Sequence, residues 1–184
     1  MKRFICTALI ALLCSVGAFA QTAGVAFADG PAVLTSVGQS ADIEMVRVLL
    51  NRARVPFSVD ATIQANGLTP NDGSLVLVVG GSSKGLGAAG ISVDAELARA
   101  RALVARAREL NMSIITVHVG GAARRGPLSD GFIRFAIPIS DYVIAVSSGD
   151  NDGLFTALAN EANIPFSSVG RTAEVGTPLA AAFR

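Results

Sequence analysis

The stretch Leu75-Val76-Leu77-Val78-Val79-Gly80-Gly81-Ser82-Ser83-Lys84-Gly85-Leu86-Gly87 decides the fold. Its first five residues form an unbroken apolar run rich in valine. Such a run reads as a strand buried on both faces, the setting of a central strand in a parallel sheet. The glycines and serines that follow read as a loop. Ser92 then caps a helix expected over residues 93–111, with Asp94 and Glu96 placed to favour the positive end of its dipole. The apolar stripe of that helix is Leu97, Ala100, Val104, Ala107 and Leu110. Arg99, Arg101, Arg106 and Arg108 read as its solvated face.

Strand and helix patterns alternate outward from this unit in both directions. Upstream, residues 32–35 read as a strand and 36–40 as a turn, and Ser40 caps a helix over 41–53. Ile43, Val46, Leu49 and Leu50 give that helix its stripe. Residues 55–61 read as an edge strand opened by Pro56, and 62–73 as an irregular crossover ending in Thr69-Pro70-Asn71-Asp72-Gly73. Downstream come a strand over 114–119, a helix from Ser129, a strand over 142–146, a helix over 153–163 and a short strand over 165–169. Alternation of this kind specifies an α/β three-layer sandwich with a mainly parallel sheet of five to six strands, Rossmann-like or flavodoxin-like. Right-handed crossovers favour the strand order 2-1-3-4-5, with the last short strand at the far edge.

The rest of the chain sets the compartment. Apolar residues make up 51% of the 184 positions and charged residues only 16%. Part of that excess lies in residues 1–20, where Lys2 and Arg3 precede an apolar run from Phe4 to Val16. Ala18-Phe19-Ala20 then supplies a cleavage site of the A-x-A kind, with Ala26-Phe27-Ala28 as the competing cut. These features predict a signal peptide over 1–20, a linker over 21–31, one domain over 32–170 and a C-terminal tail over 171–184. The product is expected to be exported, periplasmic or secreted, with no membrane association after cleavage. Both cysteines, Cys6 and Cys14, leave with the leader, so no disulfide or cysteine–metal site is expected. Loss of Lys2 and Arg3 from 15 basic residues against 14 acidic ones leaves the mature chain slightly acidic, which excludes a nucleic-acid binder.

In such sheets ligands bind beyond the carboxyl ends of the strands, near the switch point between the first and third. The candidate binding residues are therefore Ser36, Gly38 and Gln39 after the first strand, and Gly81, Ser82, Lys84 and Gly85 after the third. His118, Gly120, Arg124 and Arg125 follow the fourth, and Asp150 follows the fifth. Lys84 is the only lysine beyond the leader and falls in the glycine-rich segment, where backbone N–H groups can form an anion-binding nest. Arg124 and Arg125 can grip a carboxylate or phosphate bidentately, or pair with Asp130 or Asp141. His118, the only histidine, reads as a buried, hydrogen-bonded core residue or as a proton-transfer group.

The same segment matches several enzyme patterns, each without its context. Gly85-Leu86-Gly87-Ala88-Ala89-Gly90 fits the dinucleotide fingerprint but stands five residues beyond its strand. Gly81-Ser82-Ser83-Lys84-Gly85-Leu86-Gly87 resembles the turn of short-chain dehydrogenases, yet Tyr142 is followed four positions later by Val146 where a lysine is required. Gly81-Ser82-Ser83-Lys84-Gly85 fits the nucleophile elbow, with Ser83 as nucleophile and His118 as its weak partner. Asp150-Asn151-Asp152-Gly153 reads as a helix-capping turn and lacks the remaining ligands of a calcium loop. No cofactor and no metal site is expected.

Taken together, Lys84 to Gly90, His118-Val119-Gly120-Gly121, Arg124-Arg125-Gly126 and Asp152-Gly153-Leu154-Phe155 resemble a family of small exported bacterial proteins described only as a domain of unknown function. The likeness spans about residues 30–170 and implies a single Rossmann-like domain. It implies no activity. The reading that leads from the residues is an exported binding module for a small anionic or polar ligand. Lys84, Arg124 and Arg125 would supply charge, the glycine turns backbone donors, and His118 orientation. The alternatives are a hydrolase or transferase using Ser83 or Ser82 with His118, or a protein-interaction subunit that joins a homodimer or a transport complex through its apolar surface.

Overall fold

A computed structural model describes residues 26–184. Six strands lie in one sheet in the order β2-β1-β3-β4-β5-β6, every neighbouring pair parallel. They are β1 (Ala32–Val37), β2 (Phe57–Val59), β3 (Ser74–Val79), β4 (Ser113–His118), β5 (Tyr142–Val146) and β6 (Phe166–Val169). The order expected from right-handed crossovers therefore holds, with the sixth strand at the far edge. Each residue of β1 and β3 is fully buried or nearly so, as a strand covered on both faces requires.

Six helices, α1 (Ile43–Ala53), α2 (Ser83–Ala89), α3 (Val93–Glu109), α4 (Pro127–Ala136), α5 (Leu154–Glu161) and α6 (Gly176–Ala182), form the outer layers. On one face Ile43, Val46, Leu49 and Leu50 of α1 join Val175, Leu179 and Ala182 against Leu34, Val76, Val78, Val117 and Ile144. On the other, side chains of α2, α3, α4 and α5 cover Val33, Leu75, Leu77, Val79 and Ile114. Alternate residues of each strand thus serve opposite cores. The result is the three-layer sandwich read from the sequence.

Four local features differ from the sequence reading. The glycine-rich segment after β3 is not a loop but the short helix α2. Ser82 caps it by accepting from the Gly85 N–H at 3.0 Å. Glycine is required at position 85 because a Cβ there would run into the Gln39 carbonyl oxygen. Residues 171–184, read as a tail, instead carry a 3-10 turn and α6, whose Leu179 and Ala182 are core residues. On the amino-terminal side, Ala28 of the expected linker is fully buried beside Phe183. The edge strand over 55–61 shortens to Phe57–Val59. Residues 1–25, which hold the expected leader, Cys6 and Cys14, lie outside the described residues. Among the described residues no helix is long and apolar enough to cross a membrane.

A fifth difference is larger than these four. Arg99 is not on a solvated face: it is 6% exposed and pairs with Glu96, which is 0% exposed. Its Nε donates to Glu96 Oε2 at 2.8 Å, its Nη1 to the Ile63 carbonyl at 2.9 Å and its Nη2 to the Ser36 carbonyl. Glu96 Oε1 in turn accepts from the Gly38 N–H at 2.9 Å and from Gln39 Nε2 at 3.0 Å. Arg101, Arg106 and Arg108 do lie on the outer face, the last pairing with Asp141.

Removing the guanidinium would leave the Glu96 carboxylate buried without its counter-charge. Arg99→Met should therefore cost about 3–5 kcal/mol in urea unfolding, whereas Arg106→Ala should stay within about 0.5 kcal/mol of the parent. A loss below about 1 kcal/mol for Arg99→Met would contradict a structural role for the pair.

Candidate functional site

The carboxyl ends of β1, β3 and β4 reach one rim, because Val37 pairs with Val79 and Val78 with Val117. The chain leaves β1 toward one edge and β3 toward the other, so the switch point lies between these two strands. The Glu96–Arg99 pair closes it on the α3 face. The candidates closest to it are buried or internally bonded. Gly38, at φ +101, has no room for a Cβ, which would lie 2.6 Å from the Gly80 oxygen. Gln39 donates to Glu96 and to the Ala61 carbonyl. Ser36 is fully buried, and its Oγ has no hydrogen-bond partner.

The remaining candidates separate by their partners. Ser82 is committed to its cap, and its N–H donates to the Gly38 oxygen at 2.8 Å. Gly81 donates to Ser129 Oγ at 2.9 Å. Ser83 and Lys84 are exposed on the first turn of α2, and Lys84 has no hydrogen bond or ion pair among the described residues. His118 is 0% exposed and tilted against Phe155, with Nδ1 3.0 Å from the Val79 oxygen and Nε2 3.3 Å from the Gly121 oxygen. Both ring nitrogens thus face backbone carbonyls within the core. Ser83 is exposed while His118 is buried, and no hydrogen bond joins the two. His118 is thus held inside the core by its neighbours.

Arg125 is equally committed. Its Nε donates to Asp130 Oδ1 at 2.7 Å, its Nη2 to Asp152 Oδ2 at 2.8 Å and its Nη1 to the Gly149 carbonyl. The guanidinium also lies 5.7 Å from the Phe155 ring centre. It binds the loop after β4 to the starts of α4 and α5. Hydrogen bonds from Arg125 hold the Asp130 carboxyl below the ordinary carboxylate range and the Asp152 carboxyl down at about 2. The two carboxylates raise the guanidinium in return. Asp150 lies in the 3-10 turn before α5, and its Oδ1 accepts from the Phe155 N–H of the first helical turn at 2.6 Å.

Arg124 differs. Its Nε is 3.4 Å from Asp42 Oδ2, close enough for an ion pair but not aligned for a hydrogen bond. Glycine at 120 leaves room for this contact, since a Cβ there would lie 2.6 Å from the same Asp42 oxygen. The Arg124 side chain is 36% exposed, and neither Nη has a hydrogen-bond partner among the described residues. It lines a cavity of about 250 Å³ together with Gly81, Arg125, Gly126, Leu128 and Ser129, at the amino-terminal turn of α4. Sequence reasoning named Arg124 but missed Asp42, which reads as an ordinary first-turn acid. Among the described residues no group of three or more His, Asp or Glu side chains is arranged to hold a metal ion.

Comparison with known families adds one finding. The model of a domain of unknown function, DUF6305, matches residues 29–183. The chain belongs to the DUF6305 family. The DUF6305 match includes α6 and the segment after β6, which the sequence reading set aside as a tail. No curated protein matches the chain.

Asp130 and Asp152 titrate lower in the folded chain than in the unfolded one. Their contribution to stability is therefore complete above the unfolded carboxyl value of about 4 and is lost as pH falls toward 2. By NMR, the Asp152 carboxyl should titrate near 2 in the parent. In Arg125→Met it should return toward about 3.9. An unchanged midpoint in the variant would show that Arg125 is not its partner in solution.

Proposed function

We propose that the chain is a binding module for a small anionic or polar ligand, held at the carboxyl rim of the sheet beside β3 and β4. The observation that carries this reading is Arg124, which lines the cavity at the start of α4 and whose two Nη groups have no hydrogen-bond partner among the described residues. A planar fork of donors suits a carboxylate or phosphate, and the positive end of a helix dipole favours the same charge. The cavity, at about 250 Å³, lies below the usual range for drug-sized ligands, so the occupant is a compound of a few heavy atoms. Asp42 holds Arg124 from behind through Nε alone. Arg125 contributes shape rather than free charge, because Asp130 and Asp152 neutralise it. Lys84 adds charge from the neighbouring turn of α2.

Thermal-shift measurements with acetate, succinate and phosphate test the reading. A ligand at about one hundred times its Kd should stabilise the fold by about 2.7 kcal/mol. Arg124→Ala should abolish that gain, and Lys84→Ala should reduce it. Either the absence of any stabilising anion or a full gain retained by Arg124→Ala would overturn the proposal.

A further inference from the structure

Two A-x-A sequences compete as the end of the leader, and the fold treats the second as part of itself. Ala28 is fully buried and forms a parallel bridge with Phe183. The Phe27 and Ala28 N–H groups both donate to the Ala182 carbonyl at 2.9 Å, and the Arg184 N–H donates to the Ala28 carbonyl at 3.0 Å. Arg184 Nε reaches the Ala26 carbonyl at 3.2 Å. The Phe27 ring stands edge-on to Tyr142, with centroids 6.1 Å apart, and packs on the core beneath α1 and α6. Residues 26–28 are thus a latch on the carboxyl terminus.

We infer that the chain is processed at the Ala20–Gln21 bond and that residues 26–28 stay in the mature protein. This inference rests on the export reading. The step is hydrolysis by a leader peptidase: water gives its hydroxyl to the Ala20 carbonyl and a proton to the Gln21 nitrogen as the amide breaks. Cleavage acts on the unfolded chain during export, so the latch does not shield the bond after Ala28. Its consequence falls on the product. A chain cut after Ala28 loses every bond described above, leaving the Ala182 carbonyl and the Arg184 N–H without those partners. It also gains an ammonium at Asp29, whose carboxylate pairs with the Arg184 guanidinium at 3.1 Å. A cut after Ala20 keeps the latch whole, and Ala20 is the candidate nearer the apolar run.

The full chain, produced in an export-competent bacterium and recovered from outside the cytoplasm, should have Gln21 as its first residue by terminal sequencing. Any other first residue overturns the assignment. Asp29 on an exported product would refute the cut alone, whereas retention of Met1 in protein confined to the cytoplasm would refute export as well. Chains starting at Gln21 and at Asp29 should then differ in thermal midpoint by about 5–10 °C, the longer one being more stable. Phe27→Ala in the longer chain should show a smaller drop in the same direction, and it serves as the readout if the shorter chain does not fold. Equal midpoints for Phe27→Ala and the parent would overturn the latch.

Discussion

The buried pair of Glu96 and Arg99 holds together three segments: the end of β1, the crossover and α3. Arg99 reaches the end of β1 through the Ser36 carbonyl and the crossover through Ile63, while Glu96 fixes the Gly38 N–H and the Gln39 amide. The crossover from β2 to β3 has only a 3-10 turn over Ala65–Gly67 where related architectures carry a helix. Backbone there must find partners elsewhere, and α3 supplies them through one guanidinium. Desolvating two charges is costly, and the pair persists because nearly every donor and acceptor in it is matched.

That arrangement also occupies the α3 side of the switch point. In doubly wound sheets the crevice at the switch point is the usual site. Here its α3 face is filled by Glu96, Arg99 and Gln39. The open space lies one strand further along, beside β3 and β4, where Arg124 has donors to spare. Arg125, next to it in sequence, faces the opposite task. Its bonds to Asp130, Asp152 and Gly149 fix the loops that shape the cavity, so adjacent arginines divide into one that builds the wall and one that faces the space within it.

Much of the architecture was legible because its signals are local. The apolar run of β3, the stripe of α1 and the Ser92 cap each appear within a few residues, and right-handed crossovers then order the strands. What escaped depends on contacts distant in sequence. An Asp or Glu three residues from an arginine usually marks a solvated helix face, and only the carbonyls of Ser36 and Ile63 make Arg99 an interior residue. The α2 segment reads as a loop because glycines disfavour helix, yet the crowding of Gly85 against Gln39 decides that glycine must be there. For the candidate site, sequence position gathered residues along one rim but could not sort internally bonded groups from unbonded ones. Arg124 and Arg125 are chemically identical until their partners are known. The rarity of Lys84 carried no such information, and Asp42 gave no signal at all.

The edges of the sheet bear on whether copies of so apolar a chain can pair through their strands. One edge is β2, only three residues long and preceded by Pro56, which has no N–H to offer. The opposite edge, β6, presents Ser167 and Ser168, with Ser167 hydrogen-bonded to Tyr142 within its own sheet. Neither edge is long, flat and greasy. With 16% charged residues the chain has little electrostatic repulsion to keep copies apart, so protection against edge-to-edge polymerisation rests on strand length and side-chain choice.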